Sequence, residues 1–337
     1  MTDRALRASG VRSGEPAPIW EDDMKAMCLA AVLAAMMGSA AFAQTFGVSM
    51  QSFDNNFQTL LREGISARAS EADGVNVQVE DAQTDISKQL DQVNNFIAAG
   101  VDAIIMTLTD TSAAPGISEA ATKAGIPVVF LNLEPENFGN LPEKQVYVGS
   151  RETESGELGA KAACSLLTEK GKVSDAQVYI LMGDLAHQAS RDRTNSFKEM
   201  LAAGDCKDAT IADEQSGAWA RTNAMDTTTN WITAGRPIDV VFANNDEMAI
   251  GAIQALKAAG VSMDDVIVIG IDATQDGLAA MAAGDLDATV FQNARGQSAS
   301  AVDAAVALVR GDPVEKQVWV PFELVTPKNM ADYASKN

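Results

Sequence analysis

Histidine is nearly absent from this sequence of 337 residues, which contains only one, and cysteine occurs three times. A single histidine excludes His-rich metal clusters and leaves His187 as the sole partner for a catalytic serine. The sequence also has no Gly-rich phosphate loop, no nucleophile elbow and no dinucleotide-binding glycine pattern. These absences argue against most enzyme classes, although the many carboxylates leave a glycosidase-type pair open.

Basic residues are scarce as well. The chain has 25 Lys and Arg against 46 Asp and Glu, for a formal net charge of −21. Such a surface repels phosphate backbones and anionic lipid. We therefore expect neither nucleic acid nor a membrane surface among its partners.

Long hydrophobic runs are missing except near the start. Met24 to Ala43 combines Lys25, a short apolar run and a small-residue ending, which is typical of a secretory signal cleaved after Ala43. Residues 1–43 are thus predicted to be a leader, with a start codon assigned too early, followed by this signal. The alternative is an ordinary buried N-terminal helix. Because the signal directs export, we expect the protein in the periplasm.

The cysteines outside the signal are Cys164 and Cys206. In an exported protein they can form a disulfide, or they can be two separate buried thiols. Neither belongs to a CxxC motif, so the sequence indicates neither zinc binding nor redox chemistry.

Strand and helix patterns alternate along the chain, which is typical of βαβ units on parallel sheets. The helical stretches are rich in Ala, Glu, Lys and Gln. The predicted strands are Phe46–Met50, Val75–Glu80, Ala103–Thr107, Val128–Asn132, Val146–Gly149, Val178–Met182, Val240–Ala243, Val266–Ile271 and Ala288–Phe291.

The two halves of the chain resemble each other. Residues 98–132 and residues 234–272 both follow a helix, strand, helix, strand order. Their strands end in the polar residues Thr107, Asn132, Asn245 and Asp272. Ligands bind at the carboxyl edge of open parallel sheets, so two such edges facing each other predict a cleft. Asp246 is placed to cap the first turn of the helix that follows.

Six segments carry a more specific resemblance: FDNNFQTLLREGI, DAQTDISKQLDQV, VVFLNLEPE, VYVGSRETESG, VVFANNDEMAIGAIQALKAAG and GIDATQDGLAAMAAGDLDATV. In this order and spacing the chain resembles the periplasmic sugar-binding proteins of ABC importers. Within that type I periplasmic binding fold, the nearest members are the glucose/galactose-binding and the ribose/inositol-type proteins.

The resemblance implies an α/β protein with two similar doubly wound parallel-sheet lobes joined by a three-crossing hinge. The crossings are expected near 149–150, 292–293 and 318–320. The N-terminal lobe is then 44–149 with 293–318, and the C-terminal lobe is 150–292 with 319–337.

The resemblance also implies a binding site. A sugar ring presents apolar faces and a rim of hydroxyls, so it favours aromatic rings above and below and planar polar groups at its edge. Two residues match the stacking rings of the family, Phe57 and Trp219. The residues expected to contact hydroxyls are Asn55, Thr107, His187, Arg193, Asn245, Asp272 and Gln292.

Four positions depart from the glucose/galactose-binding pattern: Asn55, Thr107, Ala189 and Gln292. A pentose, deoxysugar, polyol or inositol is therefore as good a candidate ligand as glucose or galactose. The segment 167–177 lacks the Asp-rich calcium loop of that relative, so no metal is expected. No cofactor is expected either.

The resulting prediction is a monomeric, non-enzymatic binding protein that captures a neutral monosaccharide or polyol and delivers it to an ABC permease. The alternatives are a sugar sensor for a chemoreceptor or sensor kinase, and a binder of a nucleoside or another small polar ligand. A sugar-responsive transcription regulator would need a basic N-terminal DNA-binding helix pair, where this chain has an export signal.

Overall fold

The computed structural model describes residues 43–337. The predicted signal, apart from Ala43, lies outside the described residues. The strands are β1 Gln44–Met50, β2 Val75–Asp81, β3 Ala103–Met106, β4 Val128–Asn132, β5 Gln145–Gly149, β6 Gln177–Met182, β7 Thr210–Ser216, β8 Val240–Ala243, β9 Ile267–Ile269, β10 Thr289–Phe291, β11 Gln317–Trp319 and β12 Glu323–Val325. The helices are α1 Asn56–Glu71, α2 Ile86–Ala99, α3 Ala114–Ala124, α4 Glu152–Glu169, α5 Gln188–Ala203, α6 Arg221–Thr233, α7 Asp246–Ala258, α8 Gln275–Ala282 and α9 Ala294–Arg310.

Strands β1 to β5 and the late strand β11 form a six-stranded parallel sheet in the order β11-β5-β4-β3-β1-β2. Strands β3, β4 and β5 are buried along their whole length, because helices cover both faces. This is why their sequences are nearly continuous apolar runs. Helices α1 and α9 belong to the core on one face, and α2 and α3 to the core on the other.

The second half builds a four-stranded parallel sheet in the order β7-β6-β8-β9. Two isolated bridges, from Ile269 to Ala288 and from Asp272 to Phe291, connect this sheet to the antiparallel pair formed by β10 and β12. One face packs on α6, α7 and α8, and the other on α4 and α5. Each sheet with its helices is called a unit below.

The chain passes between the two units at three places. These are the connection from β5 to α4, the connection from β10 to α9, and the connection from β11 to β12. Helix α9 returns to the six-stranded unit, where Ala301 and Val302 pack against the core of β1, β3 and β4. The lobe boundaries deduced from the sequence remain a prediction.

The two cysteines of residues 43–337 form a disulfide. Cys164 lies on α4 and Cys206 follows α5, with 5.5 Å between their Cα atoms. Of the two alternatives that the sequence left open, the structure has the bridge, which joins the two helices on one face of the four-stranded sheet.

Within residues 43–337, no helix is long and apolar enough to cross a membrane. The carboxyl ends of both parallel sheets carry the polar residues that end the strands. They form opposite walls of one cavity, described next.

Candidate ligand-binding cavity

A cavity lies between the carboxyl edges of the two sheets, with about 370 Å³ of space that includes open solvent. Its wall brings together eight of the nine predicted site residues, from six separate parts of the chain. The lining residues are Gln51, Asn55, Phe57, Gln58, Asn132, Leu133, His187, Ala189, Arg193, Trp219, Asn245, Asp272 and Gln292.

Two aromatic rings line the cavity from opposite units. Phe57 is in the first turn of α1 and is 6% exposed. Trp219 lies in the turn between β7 and α6 with φ of 65°, a conformation that favours glycine. A Cβ on Gly183 would lie 2.1 Å from the Trp219 ring, so a glycine there allows the indole to pack directly on the backbone.

Arg193 on α5 supplies a buried guanidinium to this wall. Its Nε donates to Glu152 Oε2 at 2.6 Å and its Nη1 to the Asn244 carbonyl at 2.7 Å. Its Nη2 donates to Gln292 Oε1 at 3.2 Å. A guanidinium has five N–H donors, so two remain for a ligand. Its central carbon lies 5.4 Å from the Trp219 ring centre.

Asp272 places a carboxylate in the same cavity. It is 3% exposed, and its Oδ1 is 3.9 Å from Arg193 Nη1, beyond hydrogen-bond distance. Burial raises the pKa of this carboxyl well above its ordinary value, against the opposing effect of Arg193. Its φ of 122° is strained for a residue other than glycine. Strain of this kind clusters at ligand sites, and a ligand hydroxyl is the donor that this carboxylate lacks.

Asparagines cap the two helices that begin at the cavity. Asn55 Oδ1 accepts from the backbone N–H of Gln58 at 3.0 Å, and Asn245 Oδ1 accepts from that of Met248 at 2.9 Å. Asn245 Nδ2 also donates to the Trp219 carbonyl. The Asn55 amide group therefore keeps its donors for the cavity, while Asn245 chiefly fixes the turn that carries the indole.

The prediction that Asp246 caps α7 is wrong, because Asn245 is the cap. Asp246 is fully buried beneath the helix start. There its Oδ1 accepts from the Thr289 hydroxyl at 2.6 Å, and its Oδ2 accepts from the backbone N–H of Thr274 at 2.7 Å and from the Thr274 hydroxyl. Burial raises the pKa of Asp246 to about 7, although these hydrogen bonds act to lower it.

Thr107 is the predicted site residue that does not line the cavity. It follows the end of β3, fully buried, and its hydroxyl accepts from the backbone N–H of Gln51 at 2.8 Å. Gln51 is the residue that reaches the cavity. Thr107 therefore lies behind the wall and holds the backbone of a lining residue.

His187 lies at the start of α5 and is fully buried. Its Nδ1 accepts from Trp219 Nε1 at 2.8 Å, and its Nε2 is 3.0 Å from the Thr109 carbonyl oxygen. Burial lowers the pKa of the imidazole, although the Thr109 carbonyl acts to raise it.

Sequence reasoning missed Gln51, Gln58 and Leu133 as lining residues. Gln58 follows Phe57 directly, and its Nε2 donates to Asn132 Oδ1, which the sequence had marked only as the end of a strand. The Gln58 Oε1 atom is buried without a hydrogen-bond partner among the described residues, as is Gln292 Nε2. Buried amides rarely stay unpaired, so these atoms are available to a hydrogen-bonding group in the cavity.

The chemistry of the wall suits a neutral, hydroxyl-rich ring. It offers two apolar ring faces, one guanidinium, one carboxylate and several amides. Among residues 43–337, no three His, Cys, Asp or Glu side chains are grouped so that they could hold a metal ion.

Comparison with known proteins gives a consistent result. Residues 46–313 match the family described as periplasmic binding protein domain. A Rhizobium meliloti protein named as a candidate rhizopine-binding protein is 50% identical to this chain over 314 residues. The match covers 93% of this chain and all of that protein. The ribose import binding protein of Bacillus subtilis is 32% identical, covering 84% of this chain and 88% of its own length.

A solved structure has the same fold. An ABC transporter solute-binding protein from Bacillus halodurans with bound myo-inositol superposes with a TM-score of 0.81 at 36% identity. The match covers 89% of this chain and all of that one.

Proposed function

This chain belongs to the periplasmic binding protein family, and from that premise we propose that it captures a neutral polyol or sugar in the cavity and delivers it to an ABC importer. One observation carries the proposal. Phe57 and Trp219 line a single cavity from opposite units, together with the buried groups Arg193 and Asp272. This is a family of substrate-binding proteins, and we propose that the chain likewise performs no catalysis.

A cyclic polyol is the ligand class that we favour, with myo-inositol as the first probe. Relatives that cover nearly the whole chain are named for rhizopine or ribose, and one has bound myo-inositol. An inositol presents two apolar faces and a hydroxyl on every ring carbon. That pattern suits two aromatic rings, the free guanidinium donors of Arg193 and the unpaired carboxylate of Asp272.

Export and closure complete the proposal. We propose a signal cleaved after Ala43, so that the mature chain begins with β1 and works in the periplasm as a monomer. The two lobes, 44–149 with 293–318 and 150–292 with 319–337, would close over the ligand. Hydrogen bonds between the units above the cavity support this, since Asn56 Nδ2 donates to Glu247 Oε1 at 2.7 Å.

The test is a thermal-shift screen of the mature protein against inositols, pentoses, hexoses, deoxysugars and linear polyols, followed by calorimetry on the hits. A ligand at a hundred times its Kd adds about 2.7 kcal/mol to the free energy of unfolding. Trp219→Ala and Asp272→Ala should each raise Kd at least about tenfold, which corresponds to about 1.4 kcal/mol. Asp312→Ala, at an exposed position shortly after α9, is the matched control.

Two results would contradict the proposal. One is the absence of any stabilising polyol or sugar in the screen. The other is an unchanged Kd in both cavity variants, which would place the ligand elsewhere on the molecule.

A further inference from the structure

His187 connects the two units through both nitrogens of its ring. It is the only histidine in the sequence, and it is fully buried beside the cavity. One ring nitrogen contacts Trp219, in its own unit. The other contacts the Thr109 carbonyl, which belongs to the loop after β3 in the six-stranded unit.

The hydrogen-bond partners determine the tautomer. An indole nitrogen can only donate, so His187 Nδ1 must accept from Trp219 Nε1 and carries no proton. The proton of a neutral ring is then on Nε2, which donates to the Thr109 oxygen at 3.0 Å. The His187 and Trp219 rings lie nearly parallel, at 19°. Neither ring nitrogen of His187 remains for a ligand hydroxyl.

Thr109, whose carbonyl accepts this bond, is itself fixed by hydrogen bonds to Gln89. Gln89 Oε1 accepts from the Thr109 backbone N–H at 2.9 Å and from its hydroxyl at 3.1 Å. Gln89 Nε2 donates to the Thr107 carbonyl at 2.9 Å and to Ser49 Oγ at 3.1 Å. Gln89 is fully buried. A continuous chain of hydrogen bonds therefore runs from the interior of the six-stranded unit through His187 to the indole.

We propose that His187 is a positioning residue that holds the Trp219 ring at the cavity and joins the two units, and that it does so only as the neutral Nε2–H tautomer. The proposal rests on the proposed function, since it assumes that the cavity is the ligand site. It differs from the expectation that His187 contacts a ligand hydroxyl.

Protonation breaks the arrangement. An imidazolium has N–H groups at both positions, so its Nδ1–H would point at the indole N–H. The charged groups facing the ring are Asp184 and Asp110, which favour the cation, and Arg191, which opposes it. Arg193 lies over the Trp219 ring, with its central carbon 5.4 Å from the ring centre. Burial outweighs the two carboxylates, because the pKa of His187 is lowered. Closing the units around a protonated ring is therefore unfavourable, and ligand affinity should fall in acid.

The first experiment needs no ligand. In untagged mature protein labelled with ¹⁵N-histidine, the single imidazole gives one set of NMR signals. The expected result is the neutral Nε2–H tautomer, because the bond from Trp219 Nε1 lies within one unit and does not require closure. A neutral ring that carries its proton on Nδ1 overturns the proposal.

The second experiment is a double-mutant cycle read by calorimetry with myo-inositol. His187→Phe keeps an aromatic ring but removes both hydrogen bonds, and Trp219→Phe keeps a stacking ring but removes the indole donor. If His187 acts through the indole, the two substitutions remove the same interaction. The double variant should then bind the ligand little worse than whichever single variant has the lower affinity. If His187 contacted the ligand directly, the factors by which the two substitutions raise Kd would instead multiply in the double variant.

The pH dependence separates this role from a purely structural one. Between pH 7.5 and 5.5 the wild-type Kd should rise about tenfold, by linkage of closure to the neutral ring. In His187→Phe the part of the Kd increase that is due to His187 should disappear. Any pH dependence of Kd that remains is due to the buried carboxyl groups. An equal pH dependence in both proteins overturns the proposal. If wild-type protein binds no myo-inositol, the proposed ligand is wrong, and the ring tautomer observed by NMR still decides the role of His187.

Discussion

Arg193 and Glu152 form a buried ion pair, with Nε and Oε2 2.6 Å apart and both residues 4% exposed. Glu152 begins α4 and Arg193 lies on α5, so the pair fixes the direction of the guanidinium from behind the cavity wall. The other oxygen of Glu152 has no hydrogen-bond partner among the described residues. The pair therefore positions a group that lines the cavity, at the cost of an unsatisfied buried atom.

Removing Glu152 should affect stability and binding together. In Glu152→Ala the guanidinium stays buried without its partner, which costs about 3–5 kcal/mol of folding free energy. Urea unfolding measures this loss, and calorimetry should show a weaker ligand affinity because the guanidinium is no longer aligned. Glu154→Ala, in the same helical turn but less buried, should cost under about 1 kcal/mol. Equal losses of stability and affinity in the two variants would contradict the role of the ion pair in positioning Arg193.

Gly183 offers a way to move the indole without touching it. A Cβ there would lie 2.1 Å from the Trp219 ring, so Gly183→Ala should displace the ring, raise Kd about tenfold or more and change the tryptophan fluorescence. Gly116→Ala on α3 is the matched control, since nothing lies within 4 Å of its added methyl. An unchanged Kd in Gly183→Ala would show that the ring position matters little for binding.

Asp246 should make stability depend on pH. Burial raises its pKa to about 7 in the folded protein, whereas an unfolded Asp titrates at about 3.9. The folded state therefore binds the proton more tightly, so this stability is complete below about pH 4 and is lost as the pH rises towards 7. The full difference is about 4 kcal/mol. Asp246→Asn, whose amide can face the Thr289 hydroxyl, should remove that pH dependence in urea unfolding measured from pH 4 to 8. A profile parallel to the wild type would contradict this.

The disulfide should stabilise the four-stranded unit. Cys164 and Cys206 are 42 residues apart, a loop for which cross-linking is worth about 4 kcal/mol in the chain-entropy account. Cys164→Ser with Cys206→Ser should lower Tm by several degrees and leave Kd unchanged, since neither residue lines the cavity. A weakened Kd at a temperature where the variant is fully folded would contradict this independence.

The elements that the sequence predicted best are the buried ones. All nine predicted strands exist, since apolar runs such as Val128–Asn132 have no alternative place in a two-faced sheet. Strand β7 was not predicted, because it is a polar edge strand with the sequence TIADEQS. Strands β11 and β12 were not predicted either, because they are only partly buried and form no apolar run.

Side-chain direction limited the prediction of the site. Thr107 and Gln51 are both polar residues at sheet ends, and a hydrogen bond between them decides which one lies behind the wall. Asn245 and Asp246 could each have capped α7, and the choice depends on the Thr274 and Thr289 hydroxyls, which are far away in the sequence. Contacts between distant residues decided these cases, and local patterns do not encode them.

The hydrogen bonds between the two units have a kinetic consequence. In the proposed closed form, a ligand can leave only after contacts such as that of Asn56 with Glu247 and that of His187 with Thr109 break. A ligand that enters the proposed open form meets neither contact. These contacts should therefore lengthen the residence time of the ligand without speeding its capture, so they should act on the dissociation rate. The exposed contact at Asn56 is the easier of the two for water to break, which makes it the natural first step of release.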